Sequence, residues 1–354
     1  MVSATIKSRK ALLLLSAYLL SILAGCATTE HRTQAIEKDT GTPVWPPSPQ
    51  IPRIRYVGHI ASPEDIGVRK SWLKQAFDTL FGKEDIAGIL LRPYSVFING
   101  EMLYVTDPGA HILHIFNMKK QRYFTIKDAK GAEFISPIAV AADDDGTIYL
   151  TDSMLKRVFV LNQEGKYVRD IGSPELFIRP TGLAIDKDRI YVVDTHNHCV
   201  SVFEKREGKL IFTFGKNGSG EGDFNYPTHI WRDKKGLLYI TDSMNFRVEI
   251  FDRDGIFISG FGKLGDGSGD FARPKGVAVD SEGHIYVVDA QFDTVQIFNA
   301  TGRLLLNFGR VGRGIGEMFL PAGIFIDEHD RIFVADSYNH RIQIFQYLKE
   351  ERNQ

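Results

Sequence analysis

Gly276-Val-Ala-Val-Asp280, His284-Ile-Tyr-Val-Val-Asp289, Thr294-Val-Gln-Ile-Phe298 and Arg303-Leu-Leu-Leu-Asn-Phe308-Gly309 follow one another in one stretch of the chain. Each is a short run rich in β-branched and aromatic residues, with Gly, Asp and Asn marking the gaps. Branched and aromatic side chains suit a pleated surface, and the small polar residues accept the backbone angles of tight turns. Four short strands in roughly 45 residues are the grammar of one β-propeller blade.

The same unit recurs along the chain. Pro93, Pro137, Pro180, Pro227, Pro274 and Pro321 open six copies, spaced 44, 43, 47, 47 and 47 residues apart. Asp107, Asp152, Asp194, Asp242, Asp289 and Asp336 end the second strand of each, spaced 45, 42, 48, 47 and 47. Two independent markers with a shared period predict an all-β, six-bladed propeller. Segments such as Asp242-Ser-Met-Asn245-Phe-Arg247-Val248 and Asp336-Ser-Tyr-Asn339-His-Arg341-Ile342 resemble NHL repeats. So does the Phe-Gly loop Phe261 to Phe271, and the resemblance covers roughly residues 92 to 348. Copies one, three and five carry Ile112, Cys199 and Thr294 at the repeat's Arg position, which leaves an Asp–Arg pair available only in blades two, four and six.

The two ends of the chain predict closure. The sixth copy stops after Ile342-Gln-Ile-Phe345, without an outer strand. Arg53-Ile-Arg-Tyr56-Val-Gly58-His-Ile60 is similar to the outer strand of copy two, so an N-terminal strand is expected to complete the last blade and remove an open edge. The propeller then spans 53–348, and 349–354 is a tail. Within it, 61–91 departs from strand grammar. Trp72, Leu73, Ala76, Phe77, Leu80 and Phe81 recur at helical spacing between Ser71 and Gly82, which predicts one short inserted amphipathic helix.

The first residues have the form of a targeting segment. Lys7, Arg9 and Lys10 precede the apolar run Ala11 to Leu23, which ends in Leu23-Ala24-Gly25-Cys26. That tetrapeptide resembles the bacterial lipobox. The resemblance implies that residues 1–25 are a lipoprotein signal peptide and that Cys26 receives a diacylglycerol, the only modification expected in a chain with no other predicted cofactor. Ala27 after the cysteine implies the outer membrane, facing the periplasm. Residues 26–52, polar and then Pro-rich, read as a tether.

Lys and Arg number 43 against 44 Asp and Glu, and no block of like charge stands out, which argues against nucleic acid as a partner. With Cys26 acylated, Cys199 has no intramolecular partner, and its strand-like setting predicts a buried, inert thiol. The loops Gly215 to Gly222, Gly262 to Gly269 and Gly309 to Gly316 lie between strands, so they read as inter-blade turns rather than phosphate cradles. His196 with His198, and His111 with His114, supply too few ligands for a metal. The six repeat aspartates are expected to accept backbone N–H groups of the following turn.

Six-bladed propellers of this repeat type include a zinc-dependent peptidyl-amidoglycolate lyase, whose histidines come from several blades. Here the residues just after the repeat prolines are Tyr94, Ile138, Thr181, Thr228, Lys275 and Ala322, and only His229 lies one residue further on. The expectation is therefore a lipid-anchored, monomeric scaffold of the cell envelope. Its propeller face, carrying Tyr94, Thr181, Thr228 and Lys275, would meet a protein, peptide or glycan. The alternative is a metal-dependent lyase or lactonase with its site in the central channel.

Overall fold

The computed structural model describes residues 41–68 and 88–349. The signal segment, Cys26, the start of the tether, the expected Ser71–Gly82 helix and the last five residues lie outside these.

Six antiparallel sheets form the blades. Five are four-stranded meanders in chain order, starting at the axis with Ser95–Asn99, Pro137–Ala142, Pro180–Ile185, Pro227–Arg232 and Pro274–Val279. The sixth runs outward through Ile324–Ile326, Arg331–Asp336 and Arg341–Tyr347 to Ile54–Ile60. Tyr56 stands opposite Phe345 and Ile60 opposite Ile342, so the N-terminal strand completes the last blade as expected. Val44–Trp45, within the Pro-rich stretch, adds a short fifth strand with Val44 opposite Arg55. Trp45 packs its ring 5.9 Å from Phe308 and 5.7 Å from Phe345, covering the seam between blades five and six.

The core lies between blades. Middle strands such as Ile148–Asp152 and Ile285–Asp289 are buried along their whole length, because a neighbouring sheet covers each face. The Gly-rich loops fill the gaps between them. Each folds back so that Phe224, Phe271 or Met318, all fully buried, plugs the space beside the next blade. Phe224 lies 5.5 Å from Phe251, and Phe271 repeats the contact 5.5 Å from Phe298. Gly215 has φ +82°, and a Cβ there would stand 2.3 Å from the Phe224 ring, so the Phe-Gly pair permits the plug.

All six repeat aspartates are fully buried, and they staple each blade's entry loop as well as its turn. Asp152 accepts from Ile135 N at 2.8 Å and Ser136 N at 3.1 Å, and also from Met154 and Leu155 in the following turn. Asp194 accepts from Ile178 and Arg179, and Asp289 from Ala272 and Arg273. The expected Asp–Arg pair forms in blade four, Arg247 to Asp242 at 3.0 Å, and in blade six, Arg341 to Asp336 at 2.9 Å. Blade two departs from the expectation. Arg157 turns to Asp170 at 2.9 Å, because its outer strand places a carboxylate opposite Phe159, where blade four has Gly260 and blade six His59. In blade one, which lacks the arginine, His114 Nε2 approaches Asp107 at 3.5 Å.

The residue after the aspartate joins neighbouring blades. Ser153, Thr195, Ser243 and Ser337 donate their hydroxyls to the carbonyls of Pro180, Pro227, Pro274 and Pro93, at 2.6, 2.7, 3.1 and 2.6 Å. The Ser337–Pro93 bond spans the closure of the ring.

Candidate functional site

The inner strands do not run parallel to the axis at constant spacing. At the loop end they meet: Gly276 N donates to Ala322 O at 3.0 Å and Gly323 N to Tyr94 O at 2.8 Å. A Cβ on Gly182 would stand 3.0 Å from the His229 backbone, and one on Gly323 2.5 Å from the Tyr94 carbonyl. Tyr94, Thr228 and Lys275 come together here around a recess of only about 10 Å³. Thr181 does not join them; it is buried, with Oγ1 2.7 Å from Thr195 Oγ1.

At the opposite end, where each inner strand turns back into its blade, the channel widens into a funnel of about 1460 Å³. Its walls carry Phe97, Ile185, Trp231, Val279 and Phe325. The Phe325 ring lies 4.9 Å from Phe97 and 5.1 Å from Trp231, both edge-on, so blades one, six and four share one aromatic cluster. These three aromatics occupy the fourth position after the repeat proline, where blades two, three and five carry Ala141, Ala184 and Ala278. That alternation was legible as a pattern, but nothing in it identified the channel. His229 lines both the funnel and the recess. Burial pulls its imidazole down to about 4, against a hydrogen bond to the Val277 backbone, so the ring is neutral at physiological pH.

A second aspartate period follows the inner strands of blades two to six, at Asp143, Asp186, Asp233, Asp280 and Asp327, and the last three line the funnel. Each caps its own turn or holds an adjacent side chain. Asp233 accepts from Lys235 N and Leu237 N, and from Tyr239 OH at 3.2 Å. Asp143 meets Lys205 at 2.8 Å, Asp186 meets Arg253 at 3.4 Å, Asp280 meets His284 at 2.9 Å and Asp327 meets Arg331 at 2.6 Å. Four of these five carboxylates thus have a basic side chain beside them, and Asp233 has neutral donors only.

Other sequence candidates fall into structural settings. His196 and His198 pack edge-on against Tyr226, at 5.5 and 4.7 Å between ring centroids. Cys199 is buried, and burial pushes its thiol up to about 11, which removes its nucleophilic form near neutrality. Among the described residues no three His, Cys, Asp or Glu side chains converge as metal ligands would.

The geometry is that of a six-bladed β-propeller, and comparison with known proteins finds stretches of it similar to NHL repeats. The family described as NHL repeat matches residues 177–203 and 320–345, and the family described as 6-bladed beta-propeller matches 232–295. NHL repeat-containing protein 3 of Homo sapiens is 29% identical over 101 residues, which span 27% of this chain and 28% of that protein. The matched stretch is thus little more than a quarter of the relative's length. Virginiamycin B lyase from Staphylococcus aureus superposes with a TM-score of 0.54 at 14% identity, over 73% of this chain and 96% of that one. An auxiliary nutrient binding protein from Bacteroides ovatus gives 0.57 at 14% identity, over 75% and 71%. At these identities the likeness is one of fold.

Proposed function

We propose that the protein is a lipid-anchored binding protein of the bacterial cell envelope that captures its ligand in the central funnel. The observation that carries this reading is the aromatic wall formed by Trp231, Phe325 and Phe97 inside a cavity of about 1460 Å³. Proteins bury small ligands in clefts of about 300–1,000 Å³ walled mainly by apolar and aromatic side chains; the inner, aromatic part of this larger funnel has that character. The pinched loop end offers Tyr94, Thr228 and Lys275 only a shallow recess, so the funnel is the favoured end for capture. The lipid anchor rests on Leu23-Ala24-Gly25-Cys26, and the envelope location follows from it. Fold likeness to a nutrient binding protein supports capture as one role such propellers perform.

A lyase working in the same funnel is the competing reading, supported by fold likeness to virginiamycin B lyase. Its candidate base would be His229, but an imidazole held near 4 has little affinity for a proton at neutral pH. Capture needs no such group.

The test uses residues 27–354, which retain every strand of the closed ring. A neutral fluorescent ring compound, N-phenyl-1-naphthylamine, is titrated into this protein and its Trp231→Ala variant. Saturable binding at one equivalent, weakened about tenfold or more by the substitution, is expected. Binding unchanged by it removes the funnel as the site. Metabolic labelling with a fatty acid tests the anchor separately: the full chain takes up label and Cys26→Ser does not.

A further inference from the structure

We infer that the funnel selects an amphipathic anion: a flat apolar ring system with one acidic group, the ring packed on Trp231, Phe325 and Phe97 and the acid at Lys234 and Lys235. This rests on the funnel being the ligand site. Its separate support is the charge inventory of the rim.

Several rim acids have a basic partner in place: Glu101 lies 3.6 Å from Lys119, Asp280 meets His284 and Asp327 meets Arg331. Asp233 and Glu282 are held by neutral donors instead, Asp233 by its own turn and Tyr239 OH and Glu282 by Tyr347 OH at 2.7 Å, and Glu328 sits 3.7 Å from His329. Most Lys and Arg side chains at the rim are engaged as well: Arg331 with Asp327, Lys119 with Glu101, and Arg232 3.8 Å from Asp186. Lys234 and Lys235 differ. They are consecutive and exposed on the turn that follows Trp231 and Arg232, they line the funnel, and among the described residues neither ammonium has an ion-pair partner.

Their placement gives the ligand its polarity. Trp231 descends into the funnel from the inner strand of blade four, and the two lysines stand on the turn at the end of that same strand. A molecule seated against the indole therefore meets, on its way out, two ammonium groups without ion-pair partners against the single carboxylate of Asp233 on that turn. An apolar ring without charge would gain only the aromatic wall. A cationic one would face the lysines at close range.

Two probes separate ring from charge. 8-Anilinonaphthalene-1-sulfonate and N-phenyl-1-naphthylamine share their ring systems and differ in the sulfonate. Both are titrated into residues 27–354 and into the Lys234→Glu/Lys235→Glu and Trp231→Ala variants. The sulfonate is expected to bind about five- to tenfold more tightly than the neutral compound, the range for partly screened ion pairs. The lysine variant removes that advantage while leaving the neutral probe within about twofold. Salt at a few hundred millimolar narrows it. Equal affinity of the two probes, or a lysine variant that leaves the sulfonate unchanged or weakens both alike, overturns the inference while the funnel reading stands. If neither probe responds to Trp231→Ala, the funnel reading itself falls.

Discussion

Trp231 and Phe325 meet edge to face at 5.1 Å although they belong to the fourth and sixth blades. Blade five lies between them and carries Ala278 at the equivalent position, fully buried and small enough to let the two rings meet. The contact is thus a product of the repeat: alanine in blade five, between the aromatics of blades four and six, opens a path across the inner ring.

Replacing Ala278 with Phe is predicted to force these rings apart. Overpacking a filled site typically costs about 1–3 kcal/mol. The expected outcome is a lower urea midpoint together with loss of ring-probe binding, read by denaturation and fluorescence titration. Unchanged binding in a folded variant would show that the Trp231–Phe325 contact does not shape the site.

A pH prediction comes from blade four. Glu249 is 1% exposed in the third strand, where blades five and six carry Gln296 and Gln343. Those glutamines donate to the loop carbonyls of Asp270 and Glu317, at 2.8 and 2.6 Å. Glu249 accepts from Gly222 N at 3.3 Å and pairs with Arg247 at 3.0 Å, but its Oε2 has no partner. Burial, reinforced by the nearby Asp242 and Asp223 and opposed by Arg247, pushes the carboxyl up to about 7. A raised folded-state value means the group's contribution is complete below its unfolded value near 4.5 and is lost as pH rises through about 7. The wild type should lose on the order of 3 kcal/mol across that window from this group. Glu249→Gln should abolish that slope and be the more stable at pH 8. Urea midpoints at several pH values decide it, and parallel profiles for the two proteins would refute it.

The closure of the ring makes a separable prediction. Ser337→Ala removes the 2.6 Å bond to Pro93 O at the joint between the last and first blades, leaving that buried carbonyl without the hydroxyl. A loss of about 1–2 kcal/mol is expected, with Ser153→Ala as the matched control at an internal joint. A negligible effect at the closure alone would mean that Ile54–Ile60 pairing carries the joint.

Gly215→Ala tests the loop plug. A side chain at φ +82° is strained, and its Cβ would meet the Phe224 ring at 2.3 Å. The expected cost is at least about 2 kcal/mol. Gly41, which has nothing within 4 Å, serves as the tolerant control. Equal stability of the two variants would contradict the plug.

Much of this architecture was legible because it repeats. The prolines and aspartates fixed the blade count, and the likeness of Arg53–Ile60 to an outer strand anticipated the closure seen in the Tyr56–Phe345 and Ile60–Ile342 register. Arg157 escaped because its partner, Asp170, is opposite Phe159 only once strand register is known. The funnel escaped for a related reason. Which end of a propeller opens depends on how closely the inner strands approach, and here Gly276 and Gly323 let backbones bond across blades at the loop end. No local pattern around Tyr94, Thr228 or Lys275 carries that information. The aromatic positions four residues after the prolines were visible, but their convergence is a tertiary fact.

The central claim, capture in the funnel, is tested most directly by a crystal structure of residues 27–354 soaked with 8-anilinonaphthalene-1-sulfonate. The account predicts density for the rings beside Trp231 and Phe325, with the sulfonate toward Lys234 and Lys235. Density confined to the Tyr94–Lys275 recess or to the outer strands, with the funnel holding only solvent, would contradict it.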